Sequence, residues 1–311
     1  MTWRRKPISN TLPLRKLRVV SRYKTERSDN SKNRQVVRRS YGRIIKIIMR
    51  NCIILGSGRS GTSAAAGALI TANPEYYSGG NFVSPRISNP DGTFEPVTIR
   101  SINEDVLSQV VPRRPLTTAT ETYRYIPTQW QRWLARIPVE TLIPSTPNIE
   151  KRIKEQTQKK PFCFKDPRFS YTLDVWYPHL EDCVFVCMFR HPAETAKSII
   201  RFTQEFELMQ DFEISYNQAL EAWSLLNQHI LEKHYPKGGE WLFLHLDQLF
   251  TDDGMNRLAK ITDAKVNRSF ANQDRVRTKS FQEVPPHTQA IYERLCELAN
   301  YRIKLKGDEK I

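Results

Sequence analysis

Three groups of residues have the types and spacing to do chemistry. The first is Gly56-Ser57-Gly58-Arg59-Ser60-Gly61-Thr62-Ser63, where glycines let the backbone approach a ligand and a cation sits among hydroxyl donors. The second is Lys165-Asp166-Pro167-Arg168, and the third is Arg190-His191-Pro192 with Ser198 eight residues after the arginine. Each follows a short apolar run: Cys52–Leu55, Phe162–Phe164 and Cys183–Phe189. A buried strand that hands such residues to the start of a helix makes an anion site, because the first N–H groups of the helix lack partners and carry the positive end of its dipole. The chemistry implied is the holding of phosphate-type groups. A tight strand-to-helix turn with no ligand is the alternative for the first group.

Two nucleotide motifs overlap on that first group. Gly56-x-Gly58-x-x-Gly61 satisfies the dinucleotide spacing, yet the acid expected at the end of a second strand has no clear match, with only Glu75 before Tyr76-Tyr77-Ser78. Gly56-x4-Gly61 fits a nucleotide-triphosphate loop, but Thr62 stands where that loop needs its lysine, which disfavours an ATPase or kinase.

The elements that position these groups are legible from periodicity. Helix is predicted from Thr62 to about Ala72, stopped by Asn73-Pro74. A short extended piece, Tyr76 to Ser78, leads into a Gly-, Pro- and Asn-rich loop from Gly79 to Pro96 that is too long to be a plain connector. Further helices are predicted at Thr98 to Val110, 147 to 159, Pro192 to about Phe206, Ile214 to Tyr235 and Pro286 to about Ile303, and further strands at Phe162–Lys165, Cys183–Phe189 and Trp241–Leu246. Residues 111 to 146, with Tyr123, Tyr125, Trp130 and Trp133, read either as a cover over a substrate or as an aromatic packing element. Short strands alternating with helices define an α/β fold: a central, largely parallel sheet flanked by helices.

Composition sets the outer bounds. The chain has 311 residues and a net charge of +15, but the charge is not spread evenly. Residues 1 to 49 hold fifteen Lys and Arg against Glu26 and Asp29, which leaves 33 basic and 31 acidic residues for the rest. The expected organisation is therefore a basic, disordered extension over 1–48 and one folded domain over 49–311. The extension reads as a segment appended by a misassigned start ahead of Met49, as a solvated tail, or as an arm for nucleic acid, anionic lipid or a targeting receptor. No apolar run approaches the roughly eighteen residues of a membrane span, so a soluble, cytoplasmic protein without a transmembrane segment is expected. Five cysteines, at 52, 163, 183, 187 and 296, form no metal-like cluster with the six histidines, and buried thiols in a reducing compartment are the expectation.

With a cation inside the loop at Arg59, the run Gly58-Arg59-Ser60-Gly61-Thr62-Ser63 resembles the 5′-phosphosulfate loop of the sulfotransferases. Lys165-Asp166-Pro167-Arg168 after a strand is similar to the pattern of many bacterial members, and Arg190-His191-Pro192 with Ser198 resembles the family's 3′-phosphate motif. The loop Asn89 to Glu95 and Asn103-Glu104-Asp105 look like the same branch, His245-Leu246-Asp247-Gln248-Leu249 is a looser match, and Arg275-Val276-Arg277-Thr278-Lys279 a fainter echo. The resemblance covers about residues 51 to 250. It implies a P-loop nucleotide-kinase-like architecture and transfer of a sulfuryl group from 3′-phosphoadenosine-5′-phosphosulfate to a hydroxyl or amine, with no metal. Ser57, Gly58, Arg59, Ser60, Gly61, Thr62 and Ser63 would hold the 5′ side of that donor, and Arg190 and Ser198 its 3′-phosphate. Arg59 and Lys165 would face the charge that develops on transfer.

The general base is the open point. Small-molecule members use a histidine and others a glutamate after the first helix, but residues 51 to 150 contain no histidine and Gly79-Gly80-Asn81 stands at the second place. Glu95, between Phe94 and Pro96, is the expected base if apolar neighbours raise its pKa; capping or bracing the next helix is its other reading. The acceptor is expected to be a small molecule, glycan or lipid lying against residues 79 to 146, where aromatics mix with Arg113, Arg114 and Arg124. No specific nucleic acid is expected. Two other classes stay open: a kinase or NAD(P)-dependent enzyme reusing the loop, and a non-catalytic nucleic-acid or membrane-surface binder acting through the basic arm, whose binding would be salt-sensitive.

Overall fold

The computed structural model describes residues 49–83, 92–114, 123–209, 211–270 and 282–303. The basic extension, Asn89 to Asp91 and the stretch Arg275 to Lys279 lie outside the described residues. Those described belong to one compact unit, Lys46–Ile311.

In chain order the elements are β1 (Asn51–Leu55), α1 (Thr62–Ile70), α2 (Val97–Leu107), α3 (Pro147–Thr157), β2 (Cys163–Lys165), α4 (Phe169–Trp176), β3 (Cys183–Phe189), α5 (Pro192–Glu205), α6 (Tyr216–His229), β4 (Glu240–His245), α7 (Leu246–Leu249), α8 (Asp252–Thr262) and α9 (Pro286–Ala299). The four strands form one sheet in the order β2-β1-β3-β4, and every neighbouring pair is parallel. The α/β class and the parallel sheet flanked by helices are thus as the sequence implies.

The strands are apolar on both sides because both faces of the sheet are covered. Alternate residues Ile53, Leu55, Phe164, Phe185 and Phe243 face one core with Trp176 and Trp223, while Cys52, Ile54, Cys163, Val186 and Leu244 face a second core under α1 and α8. Cysteines 52, 163, 187 and 296 are buried free thiols and Cys183 is half-buried. Among the described residues, no helix is long and apolar enough to cross a membrane, and no group of three His, Cys, Asp or Glu could hold a metal ion.

Parallel pairing decides where chemistry can occur. All four strands end on the same edge, so Gly56, Asp166, Arg190 and Leu246 emerge side by side although far apart in sequence. That edge is where open α/β sheets bind ligands.

Candidate functional site

The first loop is shaped by close approach. Gly56 has φ of +123°, and a Cβ there would lie 2.0 Å from the Met188 carbonyl oxygen on the neighbouring strand, so only glycine fits the exit from β1. A Cβ on Gly58 would sit 2.3 Å from the Trp133 ring, which covers that face of the loop. Arg59 adopts the left-handed region, φ 69°, a conformation that costs a non-glycine residue about 1 kcal/mol or more and is concentrated at ligand-binding turns. The loop ends at Gly61, which caps α1 without any side-chain hydrogen bond, and no acidic residue occupies the first turn. The positive end of the helix is therefore neutralised by no carboxylate of its own. Ser60 is fully buried and its Oγ has no hydrogen-bond partner among the described residues. An orphaned hydroxyl beside an uncapped helix start fits a bound anion.

The third group closes onto the first. Pro192 opens α5, and Ser198, buried two turns in, receives a 3.2 Å hydrogen bond from Arg59 Nε. Arg190, at the end of β3 and 5% exposed, donates from Nε to Glu194 Oε2 at 2.7 Å, which fixes the plane of its guanidinium. The structure thus brings together Arg59, Ser198 and the start of α1.

The second group is a buried charge network. Arg168 is fully buried; Nε donates to Glu104 Oε1 at 2.6 Å, Nη1 to Asp166 Oδ1 at 2.9 Å, and Nη2 to the Trp130 carbonyl at 3.0 Å. Glu104 also accepts from Arg132 Nη1 at 2.7 Å, and Asp166 from Asn103 Nδ2 at 3.1 Å. Burial opposes the Arg168 charge, but Asp166, Glu104 and Glu95 outweigh it and hold the guanidinium more firmly protonated than usual. The run Lys165 to Arg168 and the pair Asn103-Glu104, separate in sequence, are therefore one unit. Asp105 turns outward to Arg152.

Lys165, 2% exposed, donates to Glu95 Oε1 at 2.8 Å, and Arg168 Nη1 lies 3.9 Å from Glu95 Oε2. This corrects the expectation for Glu95. Burial does push its carboxyl up, but Lys165, Arg168 and Arg100 pull harder and bring it down to about 2. The apolar neighbour expected to desolvate it, Phe94, packs instead edge-on between Phe82 and Phe270 at 5.4 and 5.3 Å. Nor does Glu95 cap the following helix, whose N-cap is Pro96; it braces the end of β2 through Lys165.

These groups border one cleft, part of it open to solvent, whose lining includes Arg59, Thr62, Ser63, Glu95 and Lys165 together with Trp130, Trp133, Phe202, Phe206 and Met209. Trp133 stands edge-on to Phe202 at 6.0 Å, and Phe202 stacks on Phe206 at 5.2 Å. For Trp133 the packing reading of the 111 to 146 stretch holds: it is a core residue whose ring also roofs the loop. Arg114 and Arg124, expected near the acceptor, are tied to Asp211 and Glu213 away from the cleft. The cleft's further cation is Arg100, on α2, and sequence reasoning missed it. Its only signal was position: one turn after Glu95, on the helix that the long loop leads into.

No family profile matches the chain, and no curated protein sequence does. Among solved structures it is similar to the sulfotransferase domain from the curacin biosynthetic pathway, at 13% identity over 83% of this chain and 99% of that one, with a TM-score of 0.46. It is also similar to the sulfotransferase domain from the Synechococcus olefin synthase, at 14% identity over 82% and 95% with a TM-score of 0.43. A third is a sulfotransferase from Mycobacterium avium, at 15% identity over 84% and 79% with a TM-score of 0.46. Identities this low assign no activity to this chain.

Proposed function

We propose that this chain is a sulfotransferase that uses 3′-phosphoadenosine-5′-phosphosulfate as donor. The observation that carries the proposal is the hydrogen bond from Arg59 Nε to Ser198 Oγ. It sets an anion-binding loop beside a second station with its own cation, Arg190, which suits a nucleotide bearing phosphate on both its 5′ and its 3′ side. The competing nucleotide classes fit less well. A dinucleotide needs an acid free for the ribose at the end of a neighbouring strand, whereas Asp166 is fully buried and held by Arg168 and Asn103. A triphosphate loop lacks its lysine at Thr62.

The donor, when bound, supplies a sulfuryl group: a bond forms from the acceptor oxygen to sulfur, the sulfur–oxygen bond to the 5′-phosphate breaks, and its electron pair stays on the phosphate. The chain's part is to hold charge. The hydroxyls of Ser60, Thr62 and Ser63 and the backbone N–H groups of the loop and of the start of α1 serve the 5′ side, and Arg59 adds a full positive charge there. Arg190 and Ser198 take the 3′-phosphate. Lys165, kept charged and oriented by Glu95 across a 2.8 Å contact, is the cation nearest the point of transfer, and Glu95 serves as its anchor.

The test is thermal melting with 3′,5′-adenosine bisphosphate, ATP with magnesium, and NAD side by side. The bisphosphate should stabilise without magnesium and by more than the others. A larger shift from ATP–magnesium or NAD rejects the proposal.

A further inference from the structure

Around the cleft several cations have carboxylate partners at ion-pair distance. Arg168 holds three acids, Arg132 holds Glu104 and Lys165 holds Glu95. Arg100 projects from α2 into the same space and, among the described residues, makes no ion pair. Its guanidinium lies over the Trp130 ring, 4.5 Å from the centroid. One long contact, 3.4 Å from Nη2 to the Trp130 carbonyl, is its hydrogen bond, and its Nε is enclosed with no acceptor. An enclosed guanidinium N–H without an acceptor is costly, and native structures usually resolve it with a ligand or water.

Charge counting in the cleft leads the same way. Among the described lining residues three are cations (Arg59, Arg100 and Lys165) and one, Glu95, is an acid. Arg59 belongs to the loop and Lys165 to the transfer point. Arg100 is in neither group: it sits over Trp130, near enough to Glu95 to help hold that carboxyl charged. A guanidinium fork seated over an indole offers a planar oxyanion attached to a ring both its contacts, the ring on the neighbouring aromatics and the oxygens on the fork.

We propose that the acceptor is a ring-bearing molecule carrying a carboxylate, which Arg100 binds beside Trp130 while the hydroxyl to be sulfated points at Lys165 and Glu95. This rests on the sulfotransferase reading of the site and names the substrate class within it. Arg100 is then a specificity-determining residue: it reads the acceptor's charge and takes no part in holding the donor.

The test is equilibrium binding to the full chain saturated with 3′,5′-adenosine bisphosphate, using 4-hydroxybenzoate and its uncharged isostere 4-hydroxybenzamide. The benzoate should bind at least about tenfold more tightly, the worth of one charge-assisted hydrogen-bonded pair. Arg100→Gln should remove that preference and leave bisphosphate affinity within about twofold, and Arg100→Lys, which keeps the charge without the fork, should fall between them. Equal binding of the two probes to the parent protein, or binding of neither while the bisphosphate binds, overturns the inference and leaves the donor reading intact. Failure of the bisphosphate itself to bind overturns the donor reading and this inference with it. The comparison on the parent protein decides the matter even if the variants do not fold.

Discussion

Arg59 Nε donates to Ser198 Oγ at 3.2 Å, joining residues 139 positions apart. The pairing exists because β1 and β3 are parallel neighbours, with Leu55 opposite Cys187, so that the loop after one strand and the helix after the other rise from the same edge. Arg59 accepts a left-handed backbone to reach across, and α5 begins at Pro192, which places Ser198 two turns in and inward. The two proposed stations for negative charge thereby share a boundary.

For Arg59→Ala the expected result is a fall in turnover larger than the loss of donor affinity, because in the proposed reaction the guanidinium faces phosphate whose charge grows as the sulfuryl group departs. Loss of one such donor is worth roughly 10² to 10³ in turnover number. Steady-state kinetics beside bisphosphate titration separates the two. An unchanged turnover number with only a raised Michaelis constant would assign Arg59 to ground-state binding.

The Lys165–Glu95 pair predicts a pH signature. Folding lowers the Glu95 pKa from the ordinary 4.5 to about 2, so its contribution is present in full above about pH 4.5 and is lost as pH falls toward 2. The contribution is on the order of 3 kcal/mol. Glu95→Gln should destabilise the protein at neutral pH by about that much, since it strands a buried lysine, and should flatten this part of the acid limb. Denaturant melts of parent and variant from pH 7 to pH 3 check it. Parallel stability curves would show that the 2.8 Å contact contributes nothing.

Much of this was legible in the sequence, and the exceptions have physical causes. Cys183–Phe189 reads as a buried strand because a fully apolar run can be covered on both faces, and its bounds match. The stations at 56–63, 165–168 and 190–198 were visible because each is a local strand-to-helix junction. What sequence could not give was pairing across the fold: Glu95 with Lys165, and Glu104 with Arg168 and Arg132, are contacts between distant segments. Neighbours in sequence misled at Glu95, where Phe94 and Pro96 implied an apolar setting and three cations supply the opposite. Helix α4 went unread since Phe169–Trp176 is rich in aromatic and β-branched residues that favour strands, and burial overrode propensity. Helix α8 had signals that were there to find: Thr251 at its N-cap and Asp252 and Asp253 in its first turn.

A chain beginning at Met49 should fold and keep bisphosphate affinity, because the described residues of both cores all lie at or after that point. Melting and nucleotide titration of this shortened chain against the full one check it. Loss of soluble protein or of affinity would show that the basic extension packs on the domain.

The sulfotransferase reading stands on recognition of a 3′-phosphate by Arg190 and Ser198, and the most direct measurement is the dissociation constant of 3′,5′-adenosine bisphosphate against that of 5′-AMP, taken by calorimetry without magnesium. The bisphosphate should bind at least about tenfold more tightly, as expected for charge-assisted bonds to one added phosphate. Bisphosphate at about a hundred times its dissociation constant should raise stability by roughly 2.7 kcal/mol. Arg190→Gln should bring the two nucleotides to similar affinities by weakening the bisphosphate alone. Equal affinities in the parent protein, or a preference that survives Arg190→Gln unchanged, would contradict the assignment of a 3′-phosphate site to the end of β3.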